Sequence, residues 1–246
     1  MTLVERLRAA GCVFAEEEAA LLLASPLFSE ELVLRRIAGE PLEYLLGWAL
    51  FAERRFVIAA GVFIPRHRTE FLVAAAIAAA GDSPVIVDVC CGTAALGLTV
   101  HAVTGGTLVA TDIDPAAVEC ARANGADAVV GDLFDGLPPS LRGTVDVLLA
   151  NTPYVPTGAI ADLPREFRDF EARATLDGGA DGLDLQRRVA AEASSWLAVG
   201  GSVFVEASDD QAPASAALFE AAGLSARIVA DDDATIVVAT RTSRSA

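Results

Sequence analysis

Two apolar runs near the C-terminal end, Ala226–Val229 and Thr235–Ala239, are separated only by Ala230-Asp231-Asp232-Asp233-Ala234. So short a link cannot carry a crossover, so the two runs can pair only as an antiparallel hairpin. Upstream the pattern differs. Apolar runs Val85–Val89, Thr107–Thr111, Ala128–Val130, Val145–Ala150 and Ser202–Ala207 alternate with helical patterns near 94–103, 115–124, 182–198 and 210–222. Such strands, spaced by helices, predict a mainly parallel sheet covered on both faces. The expected class is therefore α/β: a doubly wound, seven-stranded, mostly parallel sheet whose last strand runs antiparallel. That ending separates it from the plain dinucleotide-binding arrangement. The helix near 115–124 carries its own punctuation, with Asp114 as cap, Pro115 at the first position and Gly125 as the stop.

Before the sheet, the first forty or so residues read as short helices. Leu3 to Ala10 ends at Gly11, Glu16 to Ala24 follows, and Ser29 caps a third helix that stops at Gly39. Pieces this short must pack on one another or on a larger body. Residues 48–58 predict a hairpin turning at Glu53-Arg54, and an alanine-rich helix is expected from about Thr69 to Ala80. The expected division is a helical region over 1–46, a hairpin linker over 47–65 and the sheet domain over 66–246.

Composition narrows the function. Against 34 acidic residues stand 18 basic ones, all arginine, for a net charge of −16. Such a chain repels phosphate backbones, which argues against a nucleic-acid partner. No apolar stretch reaches the ~18 residues that a spanning helix needs, and the N-terminus lacks a signal-peptide pattern. A cytoplasmic protein with no membrane partner is expected. Cys12, Cys90, Cys91 and Cys120 form no C-x-x-C pair, and with only His67 and His101 no metal site is expected. Neither histidine receives a catalytic role.

In an open α/β sheet the ligand sits at the carboxyl ends of the strands. Asp88-Val89-Cys90-Cys91-Gly92-Thr93-Ala94 ends the first strand, and its small residues allow a tight turn and close approach to a ligand. Asp88 offers a carboxylate to a positive group. Asp112, at the end of the second strand, suits a pair of ribose hydroxyls, since a carboxylate accepts two hydrogen bonds. Asp132, after the third, would accept from an adenine amino group, with Leu133 and Phe134 packing on the ring. One such acid is an ordinary solvated strand end; three at successive strand ends point to an adenosine ligand.

The fourth strand ends in Asn151-Thr152-Pro153-Tyr154. A planar amide nitrogen is a poor nucleophile because its lone pair is delocalised. Two acceptors in fixed positions would hold such an NH₂ for attack: the Asn151 side-chain oxygen and the Thr152 carbonyl. Pro153 stiffens the turn, and Tyr154 offers a flat face. Attack on a methyl group then needs position more than acid–base strength. Alone, the tetrapeptide is a proline-rich strand exit; beside the adenosine acids it is a methyl-acceptor site.

The ordered set resembles the protein N5-glutamine methyltransferases of the HemK/PrmC type, in a divergent actinobacterial-type subgroup. It comprises Gly39-Glu40-Pro41, Tyr44-Leu45-Leu46-Gly47, Ile64-Pro65-Arg66-His67-Arg68-Thr69-Glu70, the Asp88 loop, Asp112, Asp132, Asn151–Tyr154, Phe170-Glu171, Asp181-Gly182-Leu183 and Gly200-Gly201 through Glu206. The resemblance implies a class I methyltransferase fold with S-adenosylmethionine as cofactor. It implies cofactor contacts at Cys90, Cys91, Gly92, Thr93, Ala94, Asp112 and Asn151, and glutamine binding at Asn151–Tyr154. It also implies a helical region that recognises a protein substrate: a peptide-chain release factor, or another protein bearing the glutamine. The chain departs from the family pattern with Cys90 and Ala94 in place of glycines, Thr152 in place of proline, Arg68 in place of an acid and Leu133 in place of an aromatic. Two alternatives stay open: adenine-N6 methylation of nucleic acid, since the tetrapeptide serves any planar NH₂, and a non-catalytic S-adenosylmethionine-binding protein.

Overall fold

The computed structural model describes residues 1–243, and in it the short C-terminal link makes a hairpin as the sequence requires. Four short helices come first: α1 (Leu3–Ala9), α2 (Ala15–Ala24), α3 (Glu30–Ile37) and α4 (Leu42–Leu46). Thr2 caps α1 in a reciprocal capping box with Glu5, and the Ser29 hydroxyl accepts from Leu32 N. Their shared core is Leu7, Ala15, Ala19, Leu22, Leu32 and Leu45. The fourth helix does not stand out in the sequence.

The hairpin is β1 (Trp48–Phe51) and β2 (Arg54–Val57), paired antiparallel. Its turn is Ala52-Glu53, one residue earlier than expected. Both residues adopt left-handed backbone, φ 46° and 61°, the geometry of a type I′ turn. Neither is the glycine or asparagine that normally marks such a turn, which is why the sequence misplaces it. Phe51 and Phe56 point inward, edge to face at 6.4 Å, and join the core of the main sheet. Asn124 fastens the hairpin's far end: its side chain accepts from Val57 N at 2.6 Å and donates to the carbonyls of Val57 and Thr93, each at 3.0 Å.

The remaining elements alternate: α5 (Glu70–Ala79), β3 (Val85–Val89), α6 (Ala95–Thr104), β4 (Thr107–Asp112), α7 (Pro115–Ala123), β5 (Asp127–Val130), β6 (Val145–Ala150), α8 (Arg165–Arg168), α9 (Asp184–Trp196), β7 (Leu197–Ala207), α10 (Ala212–Ala221), β8 (Ser225–Ala230) and β9 (Thr235–Thr240). Asp114 caps α7 as expected, its Oδ1 accepting from Ala116 N at 2.9 Å. The sheet order is β5-β4-β3-β6-β7-β9-β8. Strands β5 through β7 run parallel, and β9 is antiparallel to both β7 and β8. Alternate strand residues feed two cores. Ile86, Ala110, Val147 and Phe204 face α5, α6 and α7, while Val87, Leu148, Val203 and Val237 face α9 and α10. Burial on both faces explains the near-continuous apolar runs. Strand order reverses between β3 and β6, so a crevice opens there at the carboxyl ends.

Register decides what meets in that crevice. Val89 pairs with Thr111 on one side and Ala150 on the other, and Leu149 pairs with Phe204. The next residues along the row are therefore Asp112, Cys90, Asn151 and Glu206, contributed by four adjacent strands.

Candidate active site

The loop after β3 is shaped by three residues in left-handed backbone: Cys90, Gly92 and Ala94, with φ of 55°, 54° and 57°. Alternation of this kind folds the backbone into a tight turn, closed by Ala94 N donating to Cys91 O at 2.7 Å, and lets the chain approach a ligand closely. It is also the physical reason that glycine suits all three positions. Here two of them carry side chains at a cost of roughly 1–2 kcal/mol each. Cys91 N donates to Thr111 O at 3.0 Å and Gly92 N to Asp112 Oδ2 at 2.8 Å, so the loop is tied to β4. The cleft beside it is lined by Phe63, Pro65, Asp88, Cys90, Cys91, Gly92, Thr93, Ala95, Leu96 and Asn151.

Asp112 is half-buried, and each carboxylate oxygen takes one backbone donor, Gly92 N and Asp114 N. Each keeps a lone pair for a further donor, as two ribose hydroxyls require. Burial raises its pKa. Asp88 is 1% exposed, and its Oδ2 accepts from Gly97 N at 3.0 Å, tying β3 to the first turn of α6. Burial, with Asp112 adding to it, pushes its carboxyl up to about 8. A β-carbon on Gly97 would stand 2.9 Å from that oxygen, so the strand and helix meet only at glycine. Burial and the nearby acids also raise the Cys90 and Cys91 thiols, which stay protonated and are not nucleophiles.

At the third strand end the picture differs from the sequence reading. Phe134 is not free to cover a ligand: it is buried and stacked on Trp196 at 5.6 Å. Leu133 is likewise turned into the core, and its carbonyl accepts from the Thr111 hydroxyl at 2.5 Å. Asp132 remains accessible at the surface, paired with Arg188 at 2.9 Å. A partner this far along the chain left no local signal.

At the acceptor end, Asn151 lines the cleft. Among the described residues neither its side chain nor the Thr152 carbonyl has a hydrogen-bond partner. Thr152 is 2% exposed, and its hydroxyl is likewise without a partner. The Tyr154 hydroxyl donates to Glu206 Oε1 at 2.7 Å and accepts from Arg68 Nη2 at 2.6 Å. Its carbonyl accepts from Gln211 Nε2 at 2.9 Å. Gly178 and Gly182 lie against the same segment: a β-carbon on Gly178 would stand 2.7 Å from Pro153 O, and one on Gly182 2.2 Å from Tyr154 O.

Two arginines two residues apart thus reach two buried acids. Arg68 goes to Glu206. Arg66 pairs with Glu171, whose other oxygen is buried without a partner, and lies between the Phe63 and Phe167 rings at 4.9 and 3.9 Å. Arg36, buried in the helical region, pairs with Glu18 at 2.6 Å and with Glu166 of α8 at 3.2 Å. These pairs span many residues of sequence, and charge spacing alone could not reveal them. His67 contacts Glu70 at the surface and His101 the carbonyl of Gly105. No cluster of metal-ligating side chains occurs among the described residues.

Comparison with known proteins adds to this geometry. The sequence family described as ribosomal protein L11 methyltransferase matches residues 69–157. A release factor glutamine methyltransferase from Mycolicibacterium smegmatis is 37% identical over 228 residues, covering 88% of this chain and 80% of the relative. A 4-amino-L-phenylalanine/4-methylamino-L-phenylalanine methyltransferase from Streptomyces pristinaespiralis is 34% identical, covering 78% of this chain and 69% of the relative. Among solved structures, the E. cuniculi Mtq2–Trm112 complex, responsible for methylating the eRF1 termination factor, matches with a TM-score of 0.55 and 20% identity. It covers 74% of this chain and 99% of the other. That last likeness is one of fold.

Proposed function

This chain belongs to the release factor glutamine methyltransferase family, and from that premise we propose that it methylates the side-chain amide nitrogen of a protein glutamine. The fold is that of class I methyltransferases, and the family's cofactor is S-adenosylmethionine. The cleft fits that group. The tight left-handed Cys90–Ala94 turn lets backbone come close to a ligand, Asp112 keeps a lone pair on each oxygen, and Asp88 lies buried at the cleft wall. We assign cofactor contacts to Asp88, Cys90, Cys91, Gly92, Thr93, Ala94, Asp112 and Asn151, with Asp132 and the backbone of Leu133 at the adenine end. When bound, S-adenosylmethionine supplies a methyl group on a sulfonium, an electrophile that needs no further activation.

The chain's own task is to present the amide. The Asn151 side-chain oxygen and the Thr152 carbonyl accept one N–H each and turn the nitrogen's lone pair towards the methyl group. Tyr154 backs the planar group, and Pro153 keeps the two acceptors at a fixed separation. The observation that carries this reading is the pair of acceptors without a partner at Asn151 and Thr152, beside Cys90 in the row that also holds Asp112. An amide NH₂ offers such a pair two donors on one planar nitrogen.

The relative from Streptomyces pristinaespiralis supports a second reading, an aryl amine on a free amino acid, because it too presents an NH₂ on a flat group. The net charge of −16 favours either acceptor over a nucleobase in a phosphate-rich polymer. Labelled S-adenosylmethionine, offered with a Gly-Gly-Gln-containing release factor or with 4-aminophenylalanine, separates them. Label in the protein, lost in Asn151→Ala without loss of fold, is the expected result. Label in the amino acid alone would favour the second reading, and full activity in Asn151→Ala would sink the mechanism.

A further inference from the structure

Both oxygens of Tyr154, the hydroxyl and the carbonyl, are held. Its hydroxyl lies between Glu206 Oε1 and Arg68 Nη2, at 2.7 and 2.6 Å, and its carbonyl is bound by Gln211. Glu206 in turn accepts from Arg68 Nε at 2.8 Å and from the Thr69 hydroxyl at 2.6 Å. A carboxylate with three donors, 3% exposed, sits at the end of β7 in the same row as Asn151. Burying a charge there is costly, and an apolar side chain would fill the strand end without that cost. The group is therefore explained by what it holds. The phenol cannot swing away without breaking a charge-assisted hydrogen bond, and that fixes the position of the ring. None of Arg68, Thr69 and Glu206 lines the cofactor cleft.

We propose that Glu206 is a positioning residue for methyl transfer, braced by Arg68 and Thr69 and acting through the Tyr154 hydroxyl to fix the ring against which the acceptor group packs. This rests on the reading of Asn151–Tyr154 as the acceptor site. It also gives Arg68 a place in this chain's own site.

The test is a double-mutant cycle with labelled cofactor and release factor. Glu206→Gln and Tyr154→Phe each lower kcat about tenfold, with cofactor Kd within about twofold of the natural chain. The double variant falls about tenfold as well, because both changes break the same link. Single variants that keep kcat, or a double variant that loses about a hundredfold, overturn the proposal.

A second arm needs no turnover. The chain has 2 tyrosines, so in a Tyr44→Phe background the phenolate absorbance reports Tyr154 alone. Burial and Glu206 raise its ionisation above the ordinary value, and Arg68 opposes them. Glu206→Gln is expected to lower that ionisation and Arg68→Met to raise it. Both variants titrating at the ordinary value of about 10 would mean a merely loosened fold and overturn the clamp. A natural chain that labels no acceptor overturns the substrate reading, while the clamp stands or falls on this titration.

Discussion

Gly178→Ala is the substitution whose consequence the structure fixes most narrowly. Gly178 has ordinary backbone, so alanine meets no conformational penalty there, and its effect comes only from the methyl group. That group would stand 2.6 Å from Gly182 O and 2.7 Å from Pro153 O, both backbone atoms. Ordinary contact begins near 3.4 Å, so the Pro153 carbonyl must retreat by about 0.7 Å. Overpacking of this kind costs roughly 1–3 kcal/mol. For a chain of this length that lowers the Tm by about 2–4 °C per kcal/mol. The retreat moves the acceptor tetrapeptide itself, and a shift approaching ~1 Å costs up to about a hundredfold in rate. The expected outcome is a ten- to hundredfold loss of kcat, a lower Tm and an unchanged cofactor Kd by calorimetry, since the cleft lining is untouched. Gly158→Ala is the matched control: it lies in the same excursion, and its methyl meets nothing within 4 Å. Equal activity in the two variants would refute the claim that the 177–183 segment sets the tetrapeptide's position.

Asp112→Ala removes the carboxylate assigned to the ribose and should weaken S-adenosylmethionine binding by about ten- to a hundredfold, with little change in circular dichroism; an unchanged Kd would remove Asp112 from the cofactor site. Asn124→Ala breaks the links to Val57 and Thr93 and should cost about 1–3 kcal/mol in urea unfolding, whereas a loss below about 0.5 would mean the hairpin is held by Phe51 and Phe56 alone. The cofactor-free protein carries a pH signature from Asp88, whose folded pKa of about 8 lies above its ordinary 3.8. The folded state then holds a proton that the unfolded chain has released, so this contribution is fully present below about 4 and is lost as pH rises towards about 8. Asp88→Asn should flatten that slope, gaining stability relative to the natural chain between those limits; parallel curves would contradict the assignment.

Much of this was legible in the sequence for identifiable reasons. Strands buried on both faces must be continuously apolar, so β3, β4 and β6 declare themselves, and a five-residue link forces the terminal hairpin. Asp114-Pro115 reads as a helix start because capping is a local interaction. The Ala52-Glu53 turn falls one residue before its expected place because its left-handed residues lack the usual side chains. Phe134 belongs to the core and not to the ligand, because proximity in sequence to Asp132 says nothing of which face a residue takes, and Trp196 stacks on it. At the site, Asn151–Tyr154 and the Asp112 row could be placed from strand ends alone. The brace behind them could not: Arg68 meets Glu206, and Asp132 meets Arg188, only once the sheet is assembled. The helical region's tie to α8 through Arg36 and Glu166 leaves no trace in the sequence for the same reason.

The central claim is that the planar nitrogen presented at Asn151–Tyr154 is a glutamine amide of a protein. Peptide mass spectrometry of the release factors from cells with and without this chain tests it most directly. The account expects a glutamine bearing one extra methyl group on its side-chain nitrogen, present with the chain and absent without it, and restored by the natural sequence but not by Asn151→Ala. Release factors with the same glutamine modification in both cell types would contradict it.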